Sequence, residues 1–597
     1  MAKITKEDAL RYHEEGRPGK LEVVTTKPHT TQRDLSLAYS PGVAFPCLEI
    51  EKNFEDIYKY TSKGNLVAVI SNGTAVLGLG DIGAGSGKPV MEGKGFLFKI
   101  FADIDVFDIE VETKDIDKFV DTVKNIAVTF GGINLEDIKA PECFEIEERL
   151  KREIRIPLMH DDQHGTAIIC SAGIINALEL SGKKLSEAKI VINGAGAAAI
   201  ACAKLIISLG ATKENIVMLD SKGALRNDRT DLNKYKIEFV TNRDIHNLDG
   251  AMKGADIFLG LSKANVVSKE MVKSMAKNPI VFAMANPDPE ITYDEAMSSR
   301  DDLIMATGRS DYPNQVNNVL GFPYIFRGAL DVRATCINEE MKLAAVYALA
   351  GLAKEAVPES VSKAYNVQSL LFGKQYIIPK PLDPRLINTV APAVAKAAME
   401  SGVARKSIDD WDQYRLELSQ RLGLDSQLFH GIVIKAKQNP KKVVFAEGNN
   451  LKILRAANEV LHDGIALPVL LGNLGEIRRL ISDNHFDLNG VQIIDPHSNG
   501  SIEMRNSFAG LIWQKRQRKG ITLEDAYELT LNRNYFGIMM VDTGLADAMI
   551  SGVTSHYGDV MSPALKLIGP KPNLNHISSM YIRYNKERTT FFCRYHG

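Results

Sequence analysis

The sequence predicts an α/β protein of several domains, and three observations support this prediction. The chain has 597 residues, of which 45% are hydrophobic, so it is long enough to bury several cores. Strand and helix patterns alternate between residues 165 and 400, which predicts a mostly parallel sheet with crossover helices. Short buried strand patterns between helical patterns return after residue 429, which predicts a further α/β domain.

Composition excludes several classes of protein. Lys and Arg total 72 and Asp and Glu total 74, and this balance argues against nucleic-acid binding, which needs a basic surplus. The six cysteines form no C-x-x-C pair, which argues against a disulfide framework or a cysteine zinc site. The charged N-terminus has no apolar secretory region, and the apolar run at 190–209 fits a strand, a turn and a helix better than a membrane span. We therefore expect a cytoplasmic protein without membrane partners.

The first predicted domain covers residues 1–160 and contains a glycine-rich loop. Strand patterns lie at 66–70 and, as a longer run, at 96–111. Pro89 and Gly93 predict that no long helix follows the loop, so it is not expected to be a Rossmann loop. Its backbone amides contact a bound anion, or the segment is a surface turn. The candidate cofactor-binding residues in it are Val76, Leu77, Gly78, Leu79, Gly80, Asp81, Ile82 and Gly83.

The second predicted domain, residues 161–404, carries the stronger dinucleotide signal. Strands are predicted at 189–192, 216–219, 257–259 and 280–283. The loop after the first of them reads G-x-G-x-x-A and opens onto a helix, as a dinucleotide-binding loop does. Its candidate residues are Gly194, Ala195, Gly196, Ala197 and Ala198.

The choice between NAD and NADP stays open at this point. Asp220 lies 26 residues beyond Gly194, where an acceptor for a ribose hydroxyl belongs. Lys222 and Arg226 follow closely and favour a 2′-phosphate instead.

The remainder of the chain is predicted as a connector and a third domain. Residues 405–428 are polar and are assigned as a linker. Residues 429–597 form the third domain, with strand patterns at 443–445, 467–471 and 491–494.

Two acidic pairs, Glu136–Asp137 and Asp161–Asp162, offer hard oxygen ligands for magnesium or manganese. The alternative is helix capping, with Asp162 before the helix that follows.

His160 and His164 are four residues apart, as in a helical zinc site. However, a helix is not expected before Gly165, which argues against zinc.

Together these segments resemble the malic enzyme family, in its bacterial NADP-dependent form with a C-terminal phosphotransacetylase-like domain. The segments that carry the first resemblance are 39–43, 77–81, 93–94, 135–137, 161–166, 194–196, 285–287 and 315–318. The segments that carry the second are 439–448 and 562–569. The implied fold is an N-terminal α/β substrate domain, a Rossmann-type parallel-sheet domain and a partial α/β phosphotransacetylase-like domain.

The resemblance also implies a reaction, the oxidative decarboxylation of L-malate to pyruvate and CO2 with reduction of NADP, or alternatively NAD. It assigns Lys94 as the general base and Tyr39 as the acid that protonates the enol. As a base Lys94 must be neutral, so burial and a nearby cation are expected to lower its pKa. The other implied roles are metal ligation by Glu136, Asp137 and Asp162, a carboxylate beside the lysine at Asp161, nicotinamide-ribose or substrate contact at Asn286, and substrate contact at Asn318.

Two departures from the family pattern affect these expectations. Ala75 stands where many larger members have a substrate-clamping arginine, and Arg309 is a candidate replacement. The phosphotransacetylase pattern stops partway, so the third domain is expected to be truncated and without acetyl-transfer activity. It is expected to be a regulatory or assembly module, with acetyl-CoA as an effector and a homo-oligomer as the assembly. The other hypotheses are a binding protein with a vestigial site and a dehydrogenase that does not decarboxylate.

Overall fold

The computed structural model describes residues 5–570, except 77, 368, 423–431, 433–434 and 485, together with the backbone of 577–585 and 588–596. The chain divides into two compact units, residues 1–424 and 425–597. Within the described residues, no helix combines the length and the apolar character needed to cross a bilayer.

The N-terminal part of the first unit contains a parallel sheet in the order β2-β1-β3-β4. Because the strands are parallel, the segments that follow β1, β3 and β4 meet at one edge of the sheet. The strands are β1 Leu66–Ser71, β2 Asp105–Glu110, β3 Gly132–Leu135 and β4 Leu158–His160. The helices of this part are α1 Lys6–Glu14, α2 Gln32–Ala38, α3 Ala44–Lys52, α4 Ile57–Tyr60, α5 Ala84–Ala102, α6 Ile116–Ile126, α7 Glu142–Glu153 and α8 Asp161–Ser181.

Helix α5 corrects two predictions from the sequence. The glycine-rich loop is followed by a helix of 19 residues that contains Pro89, and the predicted strand at 96–111 is helical up to Ala102. Glycines explain how this helix fits. A Cβ on Gly95 would lie 2.7 Å from a Leu21 methyl carbon, and one on Gly87 would lie 3.4 Å from Val76. Pro89 and Gly93 were interpreted as helix breakers, whereas α5 continues through both, and Gly87 and Gly95 allow it to pack closely.

The second part of the first unit contains a sheet in the order β10-β9-β8-β5-β6-β7, parallel except for β7. The order reverses direction at β5, and in such sheets ligands bind at the carboxyl ends of the strands beside that point. All four strands predicted here are present. The strands are β5 Ile190–Asn193, β6 Ile216–Asp220, β7 Gly223–Ala224, β8 Ile257–Gly260, β9 Ile280–Ala283 and β10 Ile304–Thr307.

The helices of this part begin with α9, which directly follows the predicted dinucleotide loop. Their bounds are α9 Ala197–Ser208, α10 Lys234–Ile237, α11 Leu248–Met252, α12 Lys269–Ser274, α13 Tyr293–Met297, α14 Phe322–Asp331, α15 Glu339–Leu352, α16 Glu359–Ala364, α17 Leu386–Glu400 and α18 Trp411–Arg421. Short 3₁₀ segments in the two units lie at Phe54–Asp56, Ser62–Asn65, Ala127–Thr129, Lys213–Asn215, Asn318–Leu320, Asn499–Ser501 and Gln517–Lys519.

Helix α18 lies within the stretch predicted as a linker, 405–428. Its residues Tyr414 and Leu418 are buried in the core that also contains α17. The Tyr414 hydroxyl donates a hydrogen bond of 2.7 Å to Asp331 Oδ2. Residues 411–421 are therefore part of the first unit, and the linker interpretation is wrong for them because a polar composition concealed one buried face.

The second unit contains a parallel sheet in the order β13-β12-β11-β14. The three predicted strands are present, and β14 is an addition. The bounds are β11 Lys441–Phe445, β12 Ala466–Leu471, β13 Gln492–Ile494 and β14 Ala548–Ile550, with an antiparallel pair formed by β15 Ile577–Asn585 and β16 Arg588–His596. The helices are Leu451–His462, Leu474–Asp483, Ile502–Arg516, Leu523–Leu531, Arg533–Asp542 and Tyr557–Leu567.

A buried carboxylate connects two strand ends of this second unit. Glu447, just after β11, accepts hydrogen bonds of 2.7–3.0 Å from the backbone N–H groups of 552–554, which follow β14. Burial alone would raise the pKa of Glu447, but the bonds from Thr554 and its neighbours outweigh burial and lower the pKa to about 2.

Candidate active site

The two acidic pairs meet at one edge of the N-terminal sheet. Glu136 and Asp137 follow β3, and Asp161 and Asp162 open α8 directly after β4, which is the neighbouring parallel strand. Carboxylate oxygens of Glu136, Asp137 and Asp162 lie within 4.8 Å of one another. Asp162 Oδ2 accepts a hydrogen bond of 3.0 Å from the backbone N–H of Asp137, and α8 has no side-chain cap. The capping alternative is therefore wrong for Asp162.

These carboxylates repel one another in a buried site. Burial, together with the charges of Asp162 and Asp161, raises the pKa of Glu136 to about 8, although Lys94 acts in the opposite direction. Burial and the charge of Asp137 raise the pKa of Asp162 to about 7. A divalent cation would remove this repulsion, and oxygen donors are the ligands that magnesium and manganese prefer. The residues present therefore fit such an ion.

Lys94 extends from α5 into the same group. Its Nζ lies 2.6 Å from Asp161 Oδ2, 2.8 Å from Glu136 Oε1 and 4.3 Å from the centre of the Phe322 ring. Burial favours the neutral amine, but the charges of Asp161 and Glu136 outweigh burial and raise the pKa of Lys94 above its usual value. The sequence analysis expected a lowered pKa for Lys94, but the side chains of this chain raise it.

Asn318 and Gly165 hold the Asp161 carboxylate in place. Asn318 Nδ2 donates to Asp161 Oδ2 over 3.2 Å, and Asn318 Oδ1 accepts from Thr166 Oγ1 over 3.2 Å. A Cβ on Gly165 would lie 2.0 Å from Asp161 Oδ1, so glycine is required there if this carboxylate is to keep its position. Sequence reasoning did not find the roles of Gly165 and Thr166, because it expected no helix before Gly165 and so did not place Asp161 on the same helix.

The two histidines are not part of this carboxylate group. Helix α8 begins at Asp161, earlier than expected, and His160 precedes it. His164 Nε2 lies 2.9 Å from Glu147 Oε2. Burial lowers the pKa of each imidazole to about 4, against the effect of Glu147. Among the described residues, the group that could hold a metal contains neither histidine, which argues against the zinc alternative.

Tyr39 is exposed to solvent in the single chain, unlike Lys94 and the carboxylates around it. It follows α2, its relative exposure is 76%, and Lys94 is only 9% exposed. Helices α2 and α3 contain no buried residue. They expose Leu35, Leu37, Phe45 and Leu48, each by more than half.

A cavity of about 690 Å³ lies at the carboxyl ends of β5, β6 and β8. Of the predicted cofactor residues, Gly194, Ala195, Gly196 and Asp220 line it. Gly194 has φ of +125°, and a Cβ there would lie 2.3 Å from the Leu261 carbonyl oxygen, so a side chain is excluded. Ala197 and Ala198 form the first turn of α9.

The first glycine loop lies outside the described lining of this cavity. It forms a tight turn in which the Val76 N–H donates to the Gly80 carbonyl over 2.9 Å, and Asp81 pairs with Lys114. A Cβ on Gly78 would lie 2.8 Å from the Asn286 carbonyl oxygen, so this loop packs against the predicted nicotinamide-contacting segment. Leu79, Ile82 and Gly83 belong to the same turn, and Leu77 lies outside the described residues.

Asp220 is neutralised by cations that sequence reasoning did not identify. Arg229 binds it through both terminal nitrogens, at 2.8 and 3.0 Å, and Lys236 Nζ lies 2.9 Å away. Burial would raise the pKa of Asp220, but these bonds outweigh it and lower the pKa to about 2. Lys222 and Arg226, the cations considered from the sequence, pair with Asp231 and Asp228 instead. A search for cations through the segment after β6 would have found Arg229 and Lys236.

Neither Arg309 nor Ala75, the two positions considered for binding a substrate carboxylate, supplies a free cation next to Asp161. Arg309 forms a two-nitrogen pair with Asp311, at 3.0 and 2.8 Å, and its side chain is 41% exposed. Ala75 donates its backbone N–H to the Asp137 carbonyl over 3.0 Å. Arg309 thus has a local partner of its own and has no recorded contact with Asp161 or Asn318.

Comparisons with known proteins cover nearly the whole chain. Residues 18–151 match the family described as malic enzyme, N-terminal domain, and residues 163–366 match malic enzyme, NAD binding domain. Residues 427–594 match phosphate acetyl/butaryl transferase. These matches agree with the three-part organisation implied by the sequence motifs.

Individual proteins similar to this chain include malic enzymes from several organisms. An NADP-dependent malic enzyme of Rhizobium meliloti is 50% identical over 96% of this chain and 75% of its own length. An NAD-dependent malic enzyme of the same organism is 46% identical over 98% of this chain and 76% of its own length. The crystal structure of malic enzyme from Pyrococcus horikoshii Ot3 matches with a TM-score of 0.64 and 40% identity, over 72% of this chain and 98% of that one.

Proposed function

The chain belongs to the malic enzyme family, an NAD(P)-dependent enzyme family that oxidises and decarboxylates malate, and we propose how this chain carries out the reaction. Lys94 takes the proton of the malate C2 hydroxyl while hydride leaves C2 for the nicotinamide. Asp161 and Asn318 position the lysine and the substrate, and Tyr39 protonates C3 of the enolate that remains after CO2 leaves. The observation that carries this proposal is the placement of Lys94 Nζ between Asp161 and Glu136.

We propose that Glu136, Asp137 and Asp162 hold magnesium or manganese. Bound there, the ion would supply Lewis-acid stabilisation of the negative charge that develops on the substrate oxygen. Glu136 links this role to the base, because its charge is one of the two that raise the pKa of Lys94. Neutralising that charge favours the free amine that proton abstraction needs.

The test is the initial rate of dinucleotide reduction with L-malate and manganese. We expect a rate that EDTA abolishes and that added manganese restores. A rate that EDTA leaves unchanged would contradict the metal proposal alone. No malate-dependent rate with either dinucleotide, in folded protein, would contradict the proposed activity of this chain.

We propose NADP as the preferred dinucleotide, bound across the loop that contains Gly194 and Gly196. The pyrophosphate would lie at the N-terminus of α9, and the adenosine ribose near Asp220. Because Arg229 and Lys236 already occupy the Asp220 oxygens, this carboxylate is a poor acceptor for a free ribose hydroxyl. Lys236, which lines the cavity and has protons left after its bond to Asp220, offers donors to a 2′-phosphate. A higher kcat/KM with NAD than with NADP would contradict this proposal.

We further propose that a second copy of the chain covers helices α2 and α3. Their apolar side chains are exposed, and the acid implied by the family resemblance, Tyr39, lies at the end of α2. Covering this face with a second copy would desolvate Tyr39 and complete a site that one chain leaves without its acid. Tyr39→Phe and Lys94→Ala chains, each inactive alone, should recover activity when mixed under conditions of subunit exchange. A monomeric protein, or mixed oligomers without any recovery, would contradict a shared site.

We propose acetyl-CoA as an effector acting through the second unit, since residues 427–594 match an acyl transferase family. The measurement is the malate-dependent rate with and without acetyl-CoA, with free acetate as the control. An unchanged rate at saturating substrate and at substrate near KM would contradict this role.

A further inference from the structure

We propose that a second cavity, beside the first turn of α8, binds a small organic carboxylate with an apolar body. The cavity measures about 290 Å³ and lies among α7, α8, α9, α10 and α15 of the first unit. We call it the α8 side pocket. Its volume is at the lower end of those that hold small metabolites. The proposal goes beyond the dehydrogenase reaction, because this pocket contains none of the residues to which that reaction is assigned.

Gln163 provides the main evidence for a ligand. It is 3% exposed, it lines the α8 side pocket, and its Nε2 is buried without a hydrogen-bond partner in the described chain. A buried amide nitrogen without an acceptor costs about 1–3 kcal/mol, so such groups in folded proteins normally have a partner. A ligand acceptor in the pocket would remove that cost once the Gln163 amide turns toward the cavity.

The charges around the pocket decide which kind of ligand fits. Glu147 already accepts from Lys151 Nζ at 2.9 Å, from His164 Nε2 at 2.9 Å and from the His160 N–H at 3.0 Å. A cationic ligand would therefore find this carboxylate saturated. The ammonium groups of Lys151 and Lys342 each carry three protons, so donors remain after their pairs with glutamates are formed. Excess donors favour an anionic ligand.

The rest of the wall combines apolar side chains with Glu148, Lys204 and Glu339, which pair with Arg152, Glu238 and Lys342. Phe144, Ile200 and Leu205 line the pocket together with the ring of Tyr235, which lies 4.4 Å from the Phe144 ring. Phe144 lines the dinucleotide cavity as well. An anionic group near Gln163 with a short hydrocarbon body against these side chains matches the lining.

The test is calorimetric titration of hexanoate into the full-length protein. We expect saturable binding at one site per chain, and at least a tenfold loss of affinity in Gln163→Leu. Gln413→Leu is the matched control, because Gln413 lies on the exposed face of α18 and its side-chain amide bonds only to Glu417 in the described structure. This control should bind hexanoate as the unaltered protein does.

A competition experiment separates this pocket from the malate site. Saturating L-malate, without dinucleotide so that no turnover occurs, should leave the hexanoate affinity unchanged. Ala201→Phe, which fills the pocket from α9, should abolish binding, and it serves as the second variant if Gln163→Leu fails to fold. Displacement by malate, equal affinity in the pocket variants, or no saturable binding would each overturn the proposal.

Discussion

Gly165→Ala is the substitution that tests the proposed base most directly, because it adds one methyl group and touches no reacting atom. The added Cβ would lie 2.0 Å from Asp161 Oδ1, 2.8 Å from its Cγ and 3.4 Å from Asn318 Cγ. Real contacts of this kind are longer by more than 1 Å, so the buried Asp161 carboxylate must move. Alanine itself favours a helix over glycine by about 1 kcal/mol, so a loss of activity would not reflect loss of helix propensity.

The expected fall in kcat follows from the hydrogen bond between Lys94 and Asp161, which is lost when the carboxylate moves. Asp161 Oδ2 accepts from Lys94 Nζ over 2.6 Å, and Lys94 keeps a second partner in Glu136 at 2.8 Å. Losing one charge-assisted hydrogen bond costs about 1.5–3 kcal/mol. At about 1.4 kcal/mol per factor of ten, kcat should fall about 10- to 150-fold.

The assay is malate-dependent reduction of NADP with manganese at saturating substrate, together with thermal unfolding to show that the variant is folded. Gly351→Ala is the matched control, since Gly351 lies within α15 and a Cβ there would have no atom within 4 Å. The control should retain full activity. A Gly165→Ala protein whose kcat stays within a factor of two of the control would refute the role of Asp161 in positioning Lys94.

Three further predictions concern other parts of the chain. Lys94→Ala should lower kcat at least about 100-fold, the lower limit for losing a general base, while fluorescence titration shows that NADPH still binds. Lys236→Ala should raise the KM for NADP about tenfold and leave the KM for NAD nearly unchanged, as initial rates with each dinucleotide would show. Glu447→Gln should destabilise the second unit at neutral pH, and the difference from the unaltered protein in thermal unfolding should shrink as pH falls. Because folding lowers the pKa of Glu447 to about 2, its contribution is complete above the unfolded pKa near 4.5 and is lost between there and pH 2.

The parts of the fold that the sequence predicted best are the strands of the dinucleotide sheet. Four short apolar runs, each bounded by turn residues, became β5, β6, β8 and β9 within one or two residues. Buried parallel strands have a strong local signal, because both faces are apolar and the runs are short. The same pattern could not predict β14, whose outer residues are exposed.

Helix α5 could not be predicted from local rules, because its glycines and Pro89 are unfavourable in an isolated helix. They are accommodated by tertiary contacts, such as the close approach of Leu21 at Gly95. At the site, motif resemblance named Lys94, Glu136 and Asp162. The adjacent parallel strands β3 and β4 explain why the two carboxylates converge, and Lys94 reaches them from α5. Arg229 and Lys236 were missed, because which cation reaches Asp220 depends on how the chain folds back after β6.

Helix α8 connects the carboxylates of the site directly to the core of the dinucleotide domain. Its first turn carries Asp161 and Asp162, while its body is buried among the helices of the dinucleotide domain, where Asn176 donates to the carbonyls of Ala350 and Ile377 over 2.9 Å. The chain passes from β4 into this helix without an intervening loop, so the domain boundary predicted at 160/161 is not a place where the molecule can bend. The helix is 21 residues long, about 30 Å, and acts as a stiff rod anchored in the dinucleotide domain. Because β4 pairs with β3 in the N-terminal sheet, the same helix also ties Asp161 and Asp162 to the strand that precedes Glu136. These two carboxylates are therefore held by both sheets, and admitting malate cannot depend on a hinge at 160/161.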